Sequence, residues 1–271
     1  MVGWTTGTVS KKRSKYPKHA FIPDTQCRPG VPTSHLGAIS RYLLEKRPDV
    51  WIHAGDNWDM PSLSSYDTGA QKGFEQLDFD AEIEAGNAAL TLIDSETDKW
   101  NSSHPRRKQY KPRKIITLGN HENRIERAAQ DTPWLRSTML SGLNFRQWKP
   151  VPFLKPIVVH GIAYCHFFCR SADGKVKQTR RGQANARLQV QREGMSCTAG
   201  HQQGLDVHIQ PTGDGARRRG LICGSFYAHD EDYMSPQGQN HWRGMIMKHE
   251  VHQGDYALLE VPLDYLLRAY A

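Results

Sequence analysis

"VWIHAGDNWD", residues 50–59, decides how this chain folds. Val50, Trp51 and Ile52 form a short apolar run, the pattern of a buried strand. The run stops at Gly55 and Asp56, and Asp59 follows. A buried strand ending in glycine and carboxylate is how α/β sheets gather chemistry at the carboxyl ends of their strands. Two other stretches repeat the arrangement. "HAFIPD" (19–24) runs into a loop carrying Asp24 and Gln26, and "KIITLGN" (114–120) ends in Gly119 and Asn120, with His121 next.

Helical patterns lie between these strands. "TSHLGAISRYLLEKRPDV" (33–50) has Leu36, Ile39, Leu43 and Leu44 at helical spacing, Thr33 or Ser34 as cap, and Pro48 past the end. "FEQLDFDAEIEAGNAALTLI" (74–93) predicts a second helix, and "HENRIERAAQ" opens a third. After about residue 150 the texture changes to strands with fewer clear helices: "PIVVHG" (156–161), "IAYCHFF" (162–168), "MSCTAG" (195–200), "GLICGS" (220–225) and "DYALLEV" (255–261). There is no internal repeat. The expectation is one α/β domain over residues 18–271 behind a basic N-terminal tail, 1–17.

The formal net charge is +8, from 36 Lys+Arg against 28 Asp+Glu. Basic residues cluster in "KKRSK" (11–15), "RRKQYKPRK" (106–114), "TRR" (179–181) and "RRR" (217–219). Such patches attract polyanions, nucleic acid above all, although scattered basic runs are also ordinary solvated loops. No apolar run approaches the roughly 20 residues that cross a bilayer. The N-terminal residues lack an apolar signal core, so no membrane association and a cytoplasmic location are expected. Five cysteines without regular spacing read as free thiols.

The residues able to hold a metal fall at strand ends in chain order: "PDTQ", "GDNWD", "GNHE", "YCHF" and "GHQQ". Each string alone is an ordinary turn or a lone histidine. Together they resemble the five-block signature of calcineurin-like metallophosphoesterases, with "GDNWD" and "GNHE" complete, over residues 24–203. The resemblance implies a two-sheet sandwich flanked by helices and two divalent metal ions at the sheet ends. It also implies roles. Asp56 would bridge both ions, Asp24 would serve the first, and Asn120, His166 and His201 would complete the second. His121 would stand beside the scissile phosphate as general acid or phosphate anchor, oriented by Asp59.

The sequence departs from that pattern at Gln26 and Gln203, where family members usually carry histidine. Both positions serve the first metal in the family pattern, and the second site's ligands are all kept. Glutamine offers a neutral carbonyl oxygen, so a first site of Asp24, Gln26, Asp56 and Gln203 is all oxygen and favours Mn²⁺ or Mg²⁺ over Zn²⁺. Alternatives are His208 folding back in place of Gln203, or a single ion at Asn120, His166 and His201.

Other residues carry weaker signals. His160 rivals His166, which is preferred because it ends a clear strand. "CHFFC" (165–169) resembles half a zinc site but lacks a second pair, and His53 is expected to pack beside the site. His35 reads either as reaching the site mouth or as a capping or exposed residue. Arg124 and Arg127 either reach a phosphate or form a solvated face with Glu122 and Glu126; Arg124 is the substrate-binding candidate. "HDEDY" (229–233) reads as a charged rim loop without chemistry, and "NWDMPSLSSYDTGAQKG" (57–73) as a loop overhanging the site. The expected function is a metal-dependent phosphoesterase leaning to phosphodiesters of DNA, RNA or nucleotides. A phosphomonoesterase for small molecules or proteins is one alternative, and a metal-poor, non-catalytic interaction module the other.

Overall fold

The computed structural model describes residues 15–64, 78–169, 185–231 and 235–271. Nearly all of the basic tail, residues 65–73 of the 57–73 loop and the 179–181 cluster lie outside these residues. The elements run β1 (His19–Ile22), α1 (Ser34–Lys46), β2 (Val50–His53), α2 (Phe79–Ser103), β3 (Arg113–Thr117), α3 (Glu122–Asp131), α4 (Arg136–Ser141) and β4 (Lys149–Val151). They continue with β5 (Ile157–Val159), β6 (Ile162–Cys165), α5 (Ala186–Glu193), β7 (Ser196–Ala199), β8 (Leu205–Pro211), β9 (Arg217–Cys223), β10 (Gly244–His252), β11 (Asp255–Pro262) and α6 (Leu263–Tyr270).

Two sheets form. One has six strands in the order β11-β10-β1-β2-β3-β4, and the other has five in the order β5-β6-β7-β9-β8. Strands β1 to β4 are mutually parallel, as are β6, β7 and β9, so their carboxyl ends collect along one rim. Strand alternation assigns the layers. Ala20, Ile22 and Trp51 face Leu36, Leu43, Leu90 and Leu266 on the helical side. Phe21, Ile52 and Ile115 face Ile162, Tyr164 and Leu221 across the sandwich. Val190 of α5 covers the far side of β6 and β7 through Ala163, Cys165 and Cys197. The architecture is a two-sheet sandwich flanked by helices.

Helix α1 obeys its spacing and ends before Pro48, with Arg47 in the left-handed conformation. Thr33 takes the N-cap position without a side-chain cap bond. Helix α2 starts at Phe79, capped by Asp78, whose carboxylate accepts from the Ala81 amide, and runs on to Ser103. Among the described residues no helix is long and apolar enough to cross a membrane. Cys27, Cys165, Cys197 and Cys223 are buried free thiols.

Candidate metal centre

The turns that leave β1, β2, β3, β6 and β7 meet at the shared rim. Their backbones are constrained: Gln26 (φ 42°), Asp56 (φ 47°), Met60 (φ 53°) and His201 (φ 66°) all take left-handed conformations uncommon for residues with a side chain. Such strain gathers where function over-determines the backbone. Glycine makes the close approaches possible. A Cβ on Gly119 would fall 2.0 Å from Asp56 Oδ1 and 2.7 Å from His166 Cε1, and one on Gly200 would fall 2.4 Å from Asp24 Oδ1.

The ligand atoms of Asp56, His166 and His201 lie within 4.8 Å of one another. His166 Nε2 stands 3.2 Å from Asp56 Oδ2 and 3.0 Å from Asn120 Oδ1. Its Nδ1 donates to the Ala54 carbonyl at 2.8 Å. Both ring nitrogens thus face acceptors, an arrangement that favours the doubly protonated ring. Burial disfavours that charge, but Asp56 and Asp24 outweigh burial and push His166 up to about 10. Asp56, Asn120 and His166 would hold a cation only with the Nε2 proton displaced, and the Nδ1–carbonyl bond fixes the ring. His201 lies beside it, ring centroids 5.0 Å apart, and burial followed by the His166 charge lowers it to about 3.

Asp24 is buried and accepts the His201 amide at 3.2 and 3.0 Å. Burial, with the Asp56 charge behind it, raises its pKa well above the carboxylate range despite nearby His166. Asp56 is equally buried, but His121 and His166 outweigh burial and hold it below that range. Gln26 is 3% exposed, and its Oε1 is buried without a hydrogen-bond partner. An orphaned buried carbonyl oxygen two residues along the turn from buried Asp24 fits a divalent cation. Gln203 lies half-buried in the turn between β7 and β8.

Beside this cluster stands His121. Its amide donates to Asp56 Oδ1 at 2.9 Å, and its Nδ1 lies 2.7 Å from Asp59 Oδ1 and 2.8 Å from the Asp59 carbonyl. Nε2 points toward Asp56 Oδ2 at 3.7 Å. Burial opposes its charge, yet Asp56 and the Asp59 hydrogen bond raise its pKa. Arg124 donates to the carbonyls of Asp59 (2.9 Å) and Met60 (3.2 Å), and its Nη2 sits 3.1 Å from His121 Nε2.

Four residues differ from the sequence expectation. Glu122 does not lie on a solvated face: it is buried, its Oε1 accepts the amides of Asn57 (2.7 Å) and Trp58 (3.2 Å), and its Oε2 those of Asp56 (3.0 Å) and Gly119 (2.7 Å). It ties the Asp56 turn to the Asn120 turn. His35 is neither a cap nor exposed; it is buried in the first turn of α1 with its ring against Phe226. His229 and Glu231 are no free rim loop. They pair at 2.7 Å, and Glu231 accepts Arg28, which also pairs with Asp59. Arg28 carries no sequence signal beyond its nearness to Gln26.

The remaining expectations fall as follows. His160 is bonded to His19 at 2.8 Å and is not part of this cluster, while His53 is buried beside the site, with Nδ1 accepting the Gly55 amide at 3.1 Å. His208 lies in β8, paired with Gly220, and does not fold back. Arg127 is exposed.

No protein-family model matches the chain, and no curated protein does. Among the solved structures that are similar, one described only as "Crystal structure of" matches at 10% identity over 91% of this chain and 99% of that one, with a TM-score of 0.35. A likeness at that level carries no argument about function.

Proposed function

We propose that the protein is a metal-dependent phosphoesterase with a calcineurin-like centre, acting on phosphodiesters of nucleic acid or nucleotides. The observation that carries this reading is the pairing of two sets of groups at one rim. Asp56, His166 and His201 bring atoms able to ligate a metal within 4.8 Å of one another, and His121 stands beside them, held by Asp59.

Asp24, Gln26, Asp56 and Gln203 would hold a first ion and Asp56, Asn120, His166 and His201 a second, Mn²⁺ fitting the oxygen-rich first set better than Zn²⁺. When bound, two such ions acidify water and neutralise charge on phosphoryl oxygens. The chain's own residues do the rest. Asp59 and its carbonyl fix His121 through Nδ1, leaving Nε2 to give a proton to the leaving oxygen. Arg124 Nη2 and a proton on His121 Nε2 compete for the same space at 3.1 Å. A substrate phosphate draws Arg124 away and leaves His121 free to hold that proton. The net charge of +8 over the whole chain and, among the described residues, the exposed Arg106, Arg107 and Lys108 favour a polyanionic substrate.

The reading is tested by supplying Mn²⁺ to metal-stripped protein with bis-p-nitrophenyl phosphate or p-nitrophenyl phosphate. Faster turnover of the diester supports it, and faster turnover of the monoester moves the assignment to a phosphatase. No turnover of either refutes the enzymatic reading.

A further inference from the structure

The two sheets end in four edge strands, and three of them are protected. β4 and β5 are three residues long, and β4 contains Lys149 and Pro150. β11 meets β10 across a register shift and exposes Glu260. β8 differs. It pairs with β9 in unbroken register from Leu205↔Cys223 to Pro211↔Arg217, contains no lysine, and has proline only at its last position. Among the described residues no strand pairs with its outer edge. Edges of that kind are templates for another strand.

Both faces of this edge expose apolar side chains. Val207 is 40% and Ile209 47% exposed on one face. On the other packs α5, whose Ala186 amide donates to Asp206 Oδ2 at 2.8 Å and whose Leu188 is 38% exposed. Charge runs along the edge as well, with Asp206 near one end and Arg218, paired with Gln210, at the other.

We propose that β8 pairs antiparallel with β8 of a second copy of this chain about a twofold axis at His208, joining the two five-stranded sheets into one. In that register Val207 faces the partner's Ile209, and Asp206 faces the partner's Gln210 with the partner's Arg218 one strand beyond. The acidic end of each strand meets the basic end of the other. No other alignment of two β8 strands gives both the apolar match and the charge match. Leu188 of α5 flanks the junction on the outer face. A strand pair with one flanking helix is smaller than a standard interface, so the dimer forms reversibly. It is independent of the chemistry at the rim.

Light scattering across a concentration series tests this. The mass is expected to climb from 30.8 kDa toward twice that value. The double variant Val207→Lys, Ile209→Lys sets lysine against lysine across the axis and should weaken association by about tenfold or more. Both positions are exposed, and an unchanged melting curve checks that the fold stands. His208→Cys should give a covalent dimer under mild oxidation, and Val158→Cys, exposed on the opposite edge, should not. A mass of 30.8 kDa at every concentration overturns the proposal. So does a double variant that associates like the parent chain, or a dimer that His208→Cys fails to lock.

Discussion

Replacing Glu122 by glutamine changes one oxygen into an amide nitrogen and leaves the shape almost intact. Each Glu122 oxygen accepts two backbone amides, Oε1 those of Asn57 and Trp58, Oε2 those of Asp56 and Gly119. Whichever way the new amide turns, two buried N–H donors lose their acceptor and face another donor. Hydrogen bonds to a charged acceptor contribute about 1.5–3 kcal/mol each, so two lost bonds cost about 3–6 kcal/mol. That is a large share of the roughly 5–15 kcal/mol available to a folded domain. Urea unfolding of Glu122→Gln beside Glu126→Gln measures it. Glu126 has a side chain 42% exposed, and its replacement should stay within about 0.5 kcal/mol. A loss below about 1 kcal/mol at Glu122 would refute the claim that this carboxylate clamps the two ligand turns.

Other outcomes follow from the same geometry. Gly119→Ala puts a methyl 2.0 Å from Asp56 Oδ1, and displacing that carboxylate should lower turnover about 100-fold while the chain stays folded, checked by kinetics with circular dichroism. In the metal-free chain His166 is raised from 6.5 to about 10. Its contribution to stability is therefore complete below 6.5 and lost as pH rises toward 10, and a metal held there would have to displace its proton. Mn²⁺ affinity by calorimetry should climb by about tenfold per pH unit in that window, with one proton released. Lys114 and Asp94 form a buried pair at 2.8 Å that Arg146 joins at 3.1 Å. Asp94→Asn leaves the Lys114 charge uncompensated and should cost about 3–5 kcal/mol in denaturant unfolding.

Much of this arrangement is legible in the sequence because the ligand-bearing strands are short apolar runs stopped by polar turns. β1, β2, β3 and β6 each announce themselves that way. β10 does not, because Lys248 interrupts its apolar pattern. The lysine is nonetheless buried, bonded to Thr198 Oγ1 and Tyr164 Oη, and burial holds its pKa well below the usual range. β8 is hidden for another reason: Leu205, Val207 and Ile209 alternate with Asp206, His208 and Gln210 as a half-buried strand should, but the run follows directly on "GHQQ" and reads as a continuation of that polar turn. The candidate ligand set is readable as residue types at strand ends. The groups that hold it are not, since Glu122, Arg28 and Glu231 act through partners far away in sequence, and Arg28 reaches Glu231 across 203 residues. A charged residue on a helix or in a loop looks solvated until the partner that buries it is in place.

The most direct test of the phosphoesterase reading separates metal from proton transfer. Bound Mn²⁺ and bis-p-nitrophenyl phosphate turnover are measured together on the parent chain, Asp56→Asn and His121→Ala. The account predicts that Asp56→Asn loses both, because Asp56 stands among the ligands. His121→Ala should keep its metal and lose turnover, because His121 stands outside them, held by Asp59. Turnover that persists without Mn²⁺, or that survives His121→Ala at the parent rate, would contradict the account.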